Sequence, residues 1–334
     1  MPLAKRVVVH QVSRPHGLPV AENFAYVEED LPALSAGMAL VENVYLSLDP
    51  YMRECMDDLW PLHQALEGRS IGRVVDAGDT PLKNGQFVMH RKGWCSHAAI
   101  VARDVRVLPR IGGVPLSAYL GILGGTGLTA YVALTRTAKV QAGEEIFISA
   151  AAGGVGIAAG QIARLLNVKR IIGSTGSAEK VRYLLEKMGF DAAFDYHDES
   201  PIAQLARAAP DGIDVCIEGV GGDHLAAGIN ALRKNGRIAW LGAVSQYNSS
   251  DPSIAPRNLY DIVGKTLRLE GVLVRDHTNV QQELEERLVP HIQSGRISLE
   301  QTVTLGLDRM VEGFIGMLRG ANIGKSIVQV TPDP

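Results

Sequence analysis

Residues 147–156, FISAAAGGVG, limit what this chain can fold into more than any other stretch. An apolar run suited to a buried strand ends in three glycines within four residues. Side chains stripped from a strand end let another group approach bare backbone N–H groups where a helix begins. The spacing predicts a helix over about 154–166, with Val155, Ala158, Ala159, Ile162, Leu165 and Leu166 on one face. Gly153, Gly154 and Gly156 do not spell the usual G-x-G-x-x-G, so their weight comes from their surroundings. A tight turn that holds no ligand is the plainer alternative.

Those surroundings change character along the chain. Over the first 120 or so residues, RVVVHQV, MALVENVYLSL, SIGRVVDAG, GQFVMH and SHAAIVA read as short strands cut by turn residues. After GGTGLTAYVALTRTAKV, strands and helices alternate. EIFISA, KRIIGS, AAFDY, IDVCIEGV, GRIAWLGAV and LRLEGVLV are the strands. AEKVRYLLEKMG is a helix stopped by Gly189, and SPIAQLARAA a helix with Ser200 as N-cap and Pro201 at its first position. Alternation of this kind predicts an α/β fold with a doubly wound parallel sheet. KSIVQV near the C-terminus is expected to return to the β-rich part. The expected domains are 1–122, 123–299 and a return over 300–334.

A net charge of −3 gives no electrostatic reason for a nucleic acid or anionic membrane partner. No apolar run reaches the length of a membrane span, and the N-terminus has no secretory apolar region. Cys55, Cys95 and Cys216 are odd in number and contain no C-x-x-C. A soluble, cytoplasmic, two-domain protein is the expectation.

In the glycine-turn context a pyrophosphate-binding site outweighs the empty turn. An NAD site usually carries an acid about 20 residues on, at the end of the second strand, to hold the ribose. Here Gly173, Ser174 and Thr175 stand in that place and Lys180 follows. A 2′-phosphate needs a cation and hydrogen-bond donors, so NADP is favoured. The plainer reading of Lys180 is a solvated helix lysine.

Other candidates are weaker. His90, Cys95 and His97 are of types zinc accepts, yet Cys95 and His97 fall on one strand face and no second cluster supplies a fourth ligand. Half-buried strand residues account for them better, and no metal is expected. There is no G-x-S-x-G elbow. His224 is placed in the first turn of a helix. Tyr247 closes GAVSQYN just past the fifth strand of the parallel sheet, where strand ends face the ligand crevice. Tyr51, in YLSLDPYMR, has no such positional argument.

Together, YLSLDPYMR, GGTGLTAYVAL, SAAAGGVG, EKVRYLLEKMGFDAAFDY, GAVSQYN, LRLEGVLV and GANIGKSIV resemble the zinc-free medium-chain reductases of the prostaglandin reductase, leukotriene hydroxydehydrogenase and plant double-bond reductase group. The matches keep their order from about residue 41 to residue 328. The resemblance implies a discontinuous GroES-like β domain around an NADP-binding Rossmann domain. It places the 2′-phosphate on Lys180 and Tyr196, a cofactor contact on Asn322, and Tyr247 near the nicotinamide ribose and substrate. Thr129, Ser174 and the turn Gly153, Gly154, Val155 and Gly156 complete the implied cofactor set, and Tyr51 is similar to a pocket-lining residue. SLDPYMR and EGRSIGRVV carry neither zinc ligand of the zinc-dependent relatives. Val272 follows Gly271 where the family often has phenylalanine, Thr126 replaces a proline, and residues 56–70 match no relative closely.

The implied reaction is NADPH-dependent reduction of the C=C bond of an enone or enal, with Tyr247 and then Tyr51 as donors to the carbonyl oxygen. A homodimer, joined through LRLEGVLV, is implied as well. An NADPH quinone oxidoreductase on the same cofactor site and a non-catalytic NADPH-binding protein stay open as alternatives.

Overall fold

The structure is a computed structural model that describes residues 5–249 and 255–332. Its first seven strands are β1 (Lys5–Gln11), β2 (Phe24–Asp30), β3 (Met38–Ser47), β4 (Ser70–Asp76), β5 (Phe87–His90), β6 (His97–Val101) and β7 (Arg106–Val107). Six follow in the middle of the chain: β8 (Glu145–Ile148), β9 (Arg170–Thr175), β10 (Ala192–Asp195), β11 (Ile213–Glu218), β12 (Leu232–Trp240) and β13 (Arg268–Gly271). Two close it, β14 (Gln301–Leu305) and β15 (Lys325–Gln329).

The chain divides into two compact units. One takes the described residues up to Leu120 together with Gln301–Asn322 and those from Ser326 on; the other takes Gly121–Glu300 and Ile323–Lys325.

In the first unit a sheet runs β14-β15-β3-β4-β5-β7, with β6 paired to β3. The last strand lies antiparallel to β3, Ile327 opposite Ser47 and Gln329 opposite Tyr45. β1 and β2 form a separate antiparallel pair with an unbroken register from Lys5–Asp30 to Gln11–Phe24. Sequence patterning missed β2, because its glutamates and exposed Tyr26 hide the alternation that a half-buried strand shows. Trp94 anchors this unit's core. Its ring stacks on Phe24 at 5.6 Å and meets Trp60 and Phe314 edge-on at 5.6 and 5.3 Å.

In the second unit the order is β10-β9-β8-β11-β12-β13, and every pair is parallel. β8 and β11 are neighbours, so the winding reverses between them; ligands of open α/β sheets bind at such a reversal, beyond the carboxyl ends of the strands. Phe147 of β8 stacks on Phe194 of β10 at 6.0 Å within the core.

The helices used below are α1 (Tyr51–Cys55), α2 (Gly125–Val132), α3 (Gly154–Leu165), α4 (Ala178–Glu186), α5 (Pro201–Ala208) and α6 (Gly222–Ala231). Ser200 caps α5 through the Ala203 N–H, with Pro201 at its first position. Gly189 lies past α4 at φ +66°, a conformation that glycine adopts without strain. α3 is buried on a broader surface than the expected stripe. Ala158, Ala159 and Ile162 are covered, as are Gly156, Ile157, Gly160 and Ala163, while Val155, Leu165 and Leu166 are only partly so. Small residues let it lie close: a Cβ at Gly160 would stand 2.6 Å from the Phe190 ring.

Candidate active site and cofactor crevice

The glycine turn after β8 is built for close approach. Ala150 takes φ +47°, and its carbonyl accepts the Gly153 N–H at 2.9 Å. A Cβ on Gly156 would lie 2.6 Å from the Ala150 oxygen and from two backbone atoms of Ala151, so helix and strand could not meet with any larger residue. Gly153 caps α3 with no side chain, and the first N–H groups of the helix gain no side-chain acceptor there. Val155 is partly exposed in that first turn. Such an end suits a phosphate. The Thr126 methyl is packed where a Cβ on Gly154 would be, at 3.0 Å. Thr129, on the same helix α2, donates to the Gly125 carbonyl at 2.7 Å, so its hydroxyl is already committed to its own helix as a donor.

The C-terminal segment also reaches this turn. Gly324 donates its N–H to the Ala152 carbonyl at 2.8 Å and bridges to Gly153 in parallel. Asn322 lies two residues earlier, in the turn that leads to β15.

At the end of β9, Ser177 caps α4 by accepting the Lys180 N–H at 3.3 Å. Lys180 therefore sits in a first helical turn, where the helix dipole favours anions over ammonium groups. It is partly buried, and burial holds its ammonium below the usual lysine value. Lys180 is thus more than the solvated helix lysine of the plainer reading. The Tyr196 hydroxyl stands 3.1 Å from a Cβ placed on Gly176, which brings Tyr196 to the turn that carries Lys180. Its ring packs on His197 at 4.1 Å and meets His224 edge-on at 5.2 Å. Ser174 is fully buried, its Oγ without a hydrogen-bond partner, so it lines the floor of this end rather than its surface. These residues fit a dinucleotide with a 2′-phosphate: bare helix amides, a partly desolvated cation, a tyrosine hydroxyl, and no acid at Gly173, Ser174 or Thr175.

At the other side of the reversal, β11 ends in Glu218 and β12 is followed by the turn holding Tyr247. The Tyr247 hydroxyl lies 2.9 Å from a Cβ placed on Gly242, so it rests close against that glycine. Sequence patterning passed over Glu218. β11 also holds Asp214, so the carboxylate that closes it before G-V-G-G does not stand out in the sequence. Burial raises its carboxyl to about 7, and the Gly221 and Val220 amides that bond to it pull the other way. Residues 250–254, in the loop expected to shape the pocket, lie outside the described residues.

In the first unit, Tyr51 opens α1 and is partly buried, with its hydroxyl 3.5 Å from Glu67 Oε2. Burial, with Asp49 and Glu67 nearby, pushes its phenol well above the usual tyrosine value. Arg53 of the same segment is buried; Nε donates to the Gly17 carbonyl at 3.0 Å and Nη1 to Asp57 at 2.7 Å. Residues 56–70 are pinned similarly, by Arg14 donating to the Met56 and Trp60 carbonyls at 2.6 and 2.7 Å.

The His90, Cys95 and His97 group does not share a face. Cys95 precedes β6 and is packed in the core, whereas His97 is half-buried with Nδ1 3.1 Å from Ser96 Oγ. Cys95 lies outside β6, in an isolated bridge to Val8, so the period-2 expectation does not run from it to His97. His90 is buried and held neutral, its value lowered to about 3. His224 lies in the first turn of α6, as expected, with burial lowering it to about 4.

Fold and site together define a two-unit dinucleotide-binding oxidoreductase. Residues 8–108 match a family described as the N-terminal domain of oxidoreductase, and residues 154–294 one described as zinc-binding dehydrogenase. Among the described residues, no group of three His, Cys, Asp or Glu side chains is placed to hold a metal ion. The chain is 37% identical to rat (Rattus norvegicus) prostaglandin reductase 1, over 94% of this chain and 95% of that one. It is 36% identical to the NADP(+)-dependent 2-alkenal reductase of Nicotiana tabacum, over 87% of each. The crystal structure of CurA in complex with NADPH from Vibrio vulnificus superposes with a TM-score of 0.91 at 30% identity, covering 99% of this chain and all of that one. The chain belongs to the zinc-free medium-chain dehydrogenase/reductase family that includes the prostaglandin and 2-alkenal reductases.

Proposed function

We propose that the protein reduces the C=C bond of α,β-unsaturated ketones and aldehydes with NADPH, hydride going to the β-carbon. What carries this reading is the similarity, along nearly the whole chain, to reductases whose names specify NADP and alkenal or prostaglandin. Lys180 and Tyr196 at one turn, with no acid at the end of β9, support NADPH over NADH. When bound, NADPH supplies the hydride; the remaining work falls to the chain. Gly153, Gly154, Val155 and Gly156 would offer the helix end to the pyrophosphate, with Thr129, Ser174 and Asn322 bordering the cofactor.

As the double bond takes up hydride, negative charge gathers on the carbonyl oxygen of the substrate. A positioned O–H donor stabilises that charge. Tyr247 is assigned this role, with Tyr51 second. The high value of the Tyr51 phenol keeps it an O–H donor throughout the working pH range. A proton from water or a tyrosine completes the saturated carbonyl.

No helix of the described residues is long and apolar enough to cross a membrane, and Cys55, Cys95 and Cys216 are free and buried, which supports a cytoplasmic location. A homodimer is supported by β13, an edge strand whose residues are largely exposed, near exposed Tyr260, Val263 and Leu273.

The test is loss of nicotinamide absorbance with NADPH and NADH in parallel, across enones, quinones and saturated ketones. Oxidation of NADPH with enones, giving the saturated carbonyl, is expected. Turnover confined to quinones would move the protein to the quinone reductases, and tight NADPH binding without turnover would make it a binding protein.

A further inference from the structure

Glu218 sits at the carboxyl end of β11, beside the reversal point, with no exposure to solvent. Its Oε1 accepts the N–H groups of Val220 at 2.6 Å and Gly221 at 2.8 Å. At the end of neighbouring β8, Ser149 Oγ accepts the Gly219 N–H at 2.8 Å. Three consecutive amides are thereby turned inward onto two buried side chains. Gly221 and Gly222 take φ +80° and +51°, so this loop cannot hold itself by side-chain packing.

The carbonyls of the same segment are taken by the next one. Glu218 O accepts the Leu241 N–H at 2.7 Å, Gly219 O the Val244 N–H at 3.1 Å, and Val220 O the Ser245 N–H at 3.1 Å. Ser245 Oγ adds a bond to Val220 O at 2.6 Å. Two residues on is Tyr247, whose hydroxyl rests against Gly242. One continuous hydrogen-bonded path therefore runs from the carboxyl of Glu218, through the 219–221 backbone, to the turn that presents Tyr247.

We propose that Glu218 is a positioning residue for the reduction: its carboxyl sets the 219–221 backbone, and that backbone sets where the Tyr247 hydroxyl is aimed. This rests on the donor role given above to Tyr247. Loss of the carboxyl strands two buried amides, which relax toward other acceptors and take the Ser245 bonds with them. A shift of about 1 Å at a donor is enough for a large loss of rate.

The experiment compares Glu218→Ala and Glu218→Gln, each in the wild-type and the Tyr247→Phe background. Glu218→Ala should lower kcat about tenfold or more, with the substrate KM changed less than about threefold. Glu218→Gln keeps an acceptor oxygen and should restore kcat to within about threefold. In the Tyr247→Phe background, Glu218→Ala should cost less than about twofold further. A readout without added cofactor or substrate accompanies these: amide exchange over 219–221 and 244–245 should rise about tenfold in Glu218→Ala and return in Glu218→Gln.

Equal losses in both backgrounds would overturn the proposal, as would a Gln variant as slow as the Ala one. If Glu218→Ala does not fold, Ser245→Ala removes one of the two Ser245 bonds to Val220 O, at an exposed position, and weakens the same path. It should slow kcat about threefold in the wild type and not in Tyr247→Phe; an equal slowing in both would again overturn it. Wild-type turnover in Tyr247→Phe itself would remove the donor reading. The exchange data would then still decide whether Glu218 holds the segment.

Discussion

At the β9–β10 end of the parallel sheet, Lys180 lies in the first turn of α4 and the Tyr196 hydroxyl packs against Gly176 just before it. At the β11–β12 end the work is done by backbone, with Glu218 and Ser149 buried beneath amides and the Tyr247 ring laid over a glycine. Both ends hold a titratable group that burial disfavours in its charged form, Lys180 pushed down and Glu218 pushed up. The lysine is only partly covered. The carboxyl is fully covered and accepts the chain's own N–H groups. The recognition proposed at one end thus rests on an accessible side chain, whereas the donor proposed at the other rests on the fold itself.

The sharpest break between the two ends should come from Tyr247→Phe. Removal of one donor to a developing oxyanion costs about 10²–10³ in kcat, while NADPH affinity should stay within about twofold. Stopped-flow turnover alongside cofactor titration checks this, and near-normal turnover would erase the division.

Next in size is the share of the pH dependence of stability that Glu218 carries, opposite in sign to the shares of buried His90 and His224. The folded value of Glu218, about 7, lies above the ordinary 4.5, so the folded state binds this proton more tightly than the unfolded chain. The contribution is full below about pH 4.5 and is lost as pH rises through about 7, on the order of 3 kcal/mol in all. Glu218→Gln should flatten that part of the curve in urea titrations at pH 5 and pH 8. An unchanged slope would place the titration elsewhere.

Lys180→Ala should weaken NADPH by roughly 10- to 100-fold, the worth of a charged hydrogen bond, and leave NADH within about twofold. Equal losses with both cofactors, measured by fluorescence titration, would separate Lys180 from the phosphate.

The smallest effect expected is from Gly154→Ala. Its Cβ would stand 3.0 Å from the Thr126 methyl and 3.3 Å from Lys325 Cα. A loss of about 1 kcal/mol in unfolding free energy follows from mild overpacking. Thr126→Ser in the same chain should recover most of it, which would show that the Thr126 methyl trims the glycine turn.

Much of the second unit was legible because period and glycine placement speak locally. The strand–turn–helix at 145–165, the capped helix at Pro201 and the missing acid after β9 all follow from neighbouring residues. Lys180 was singled out by its position after a strand end without an acid, whereas Tyr196 entered only through the family resemblance. Glu218 was not legible: a carboxylate whose partners are backbone amides carries no motif, and its depth is set by strands far away in the chain. β2 was hidden because its exposed face carries Tyr26, Glu28 and Asp30, and Glu29 interrupts the other face. The separation of Cys95 from His97 follows from where β6 begins, with Cys95 bridged to Val8 before it, which no residue pattern announces.

The pairing of β15 with β3 has a consequence for how the molecule is made. Leu46, Ile327 and Val328 are fully buried, and the pairing of β3 through Tyr45, Leu46 and Ser47 with β15 waits for residues 327–329. On a ribosome, residues 121–300 of the parallel sheet are complete while the β-rich unit still lacks its closing strand. Until the last strand emerges, β3 offers an open apolar edge, the kind of surface that nascent chains lose to aggregation. The unit begun first is therefore finished last, and a chain clipped before residue 325 should leave its parallel sheet folded and its first sheet open.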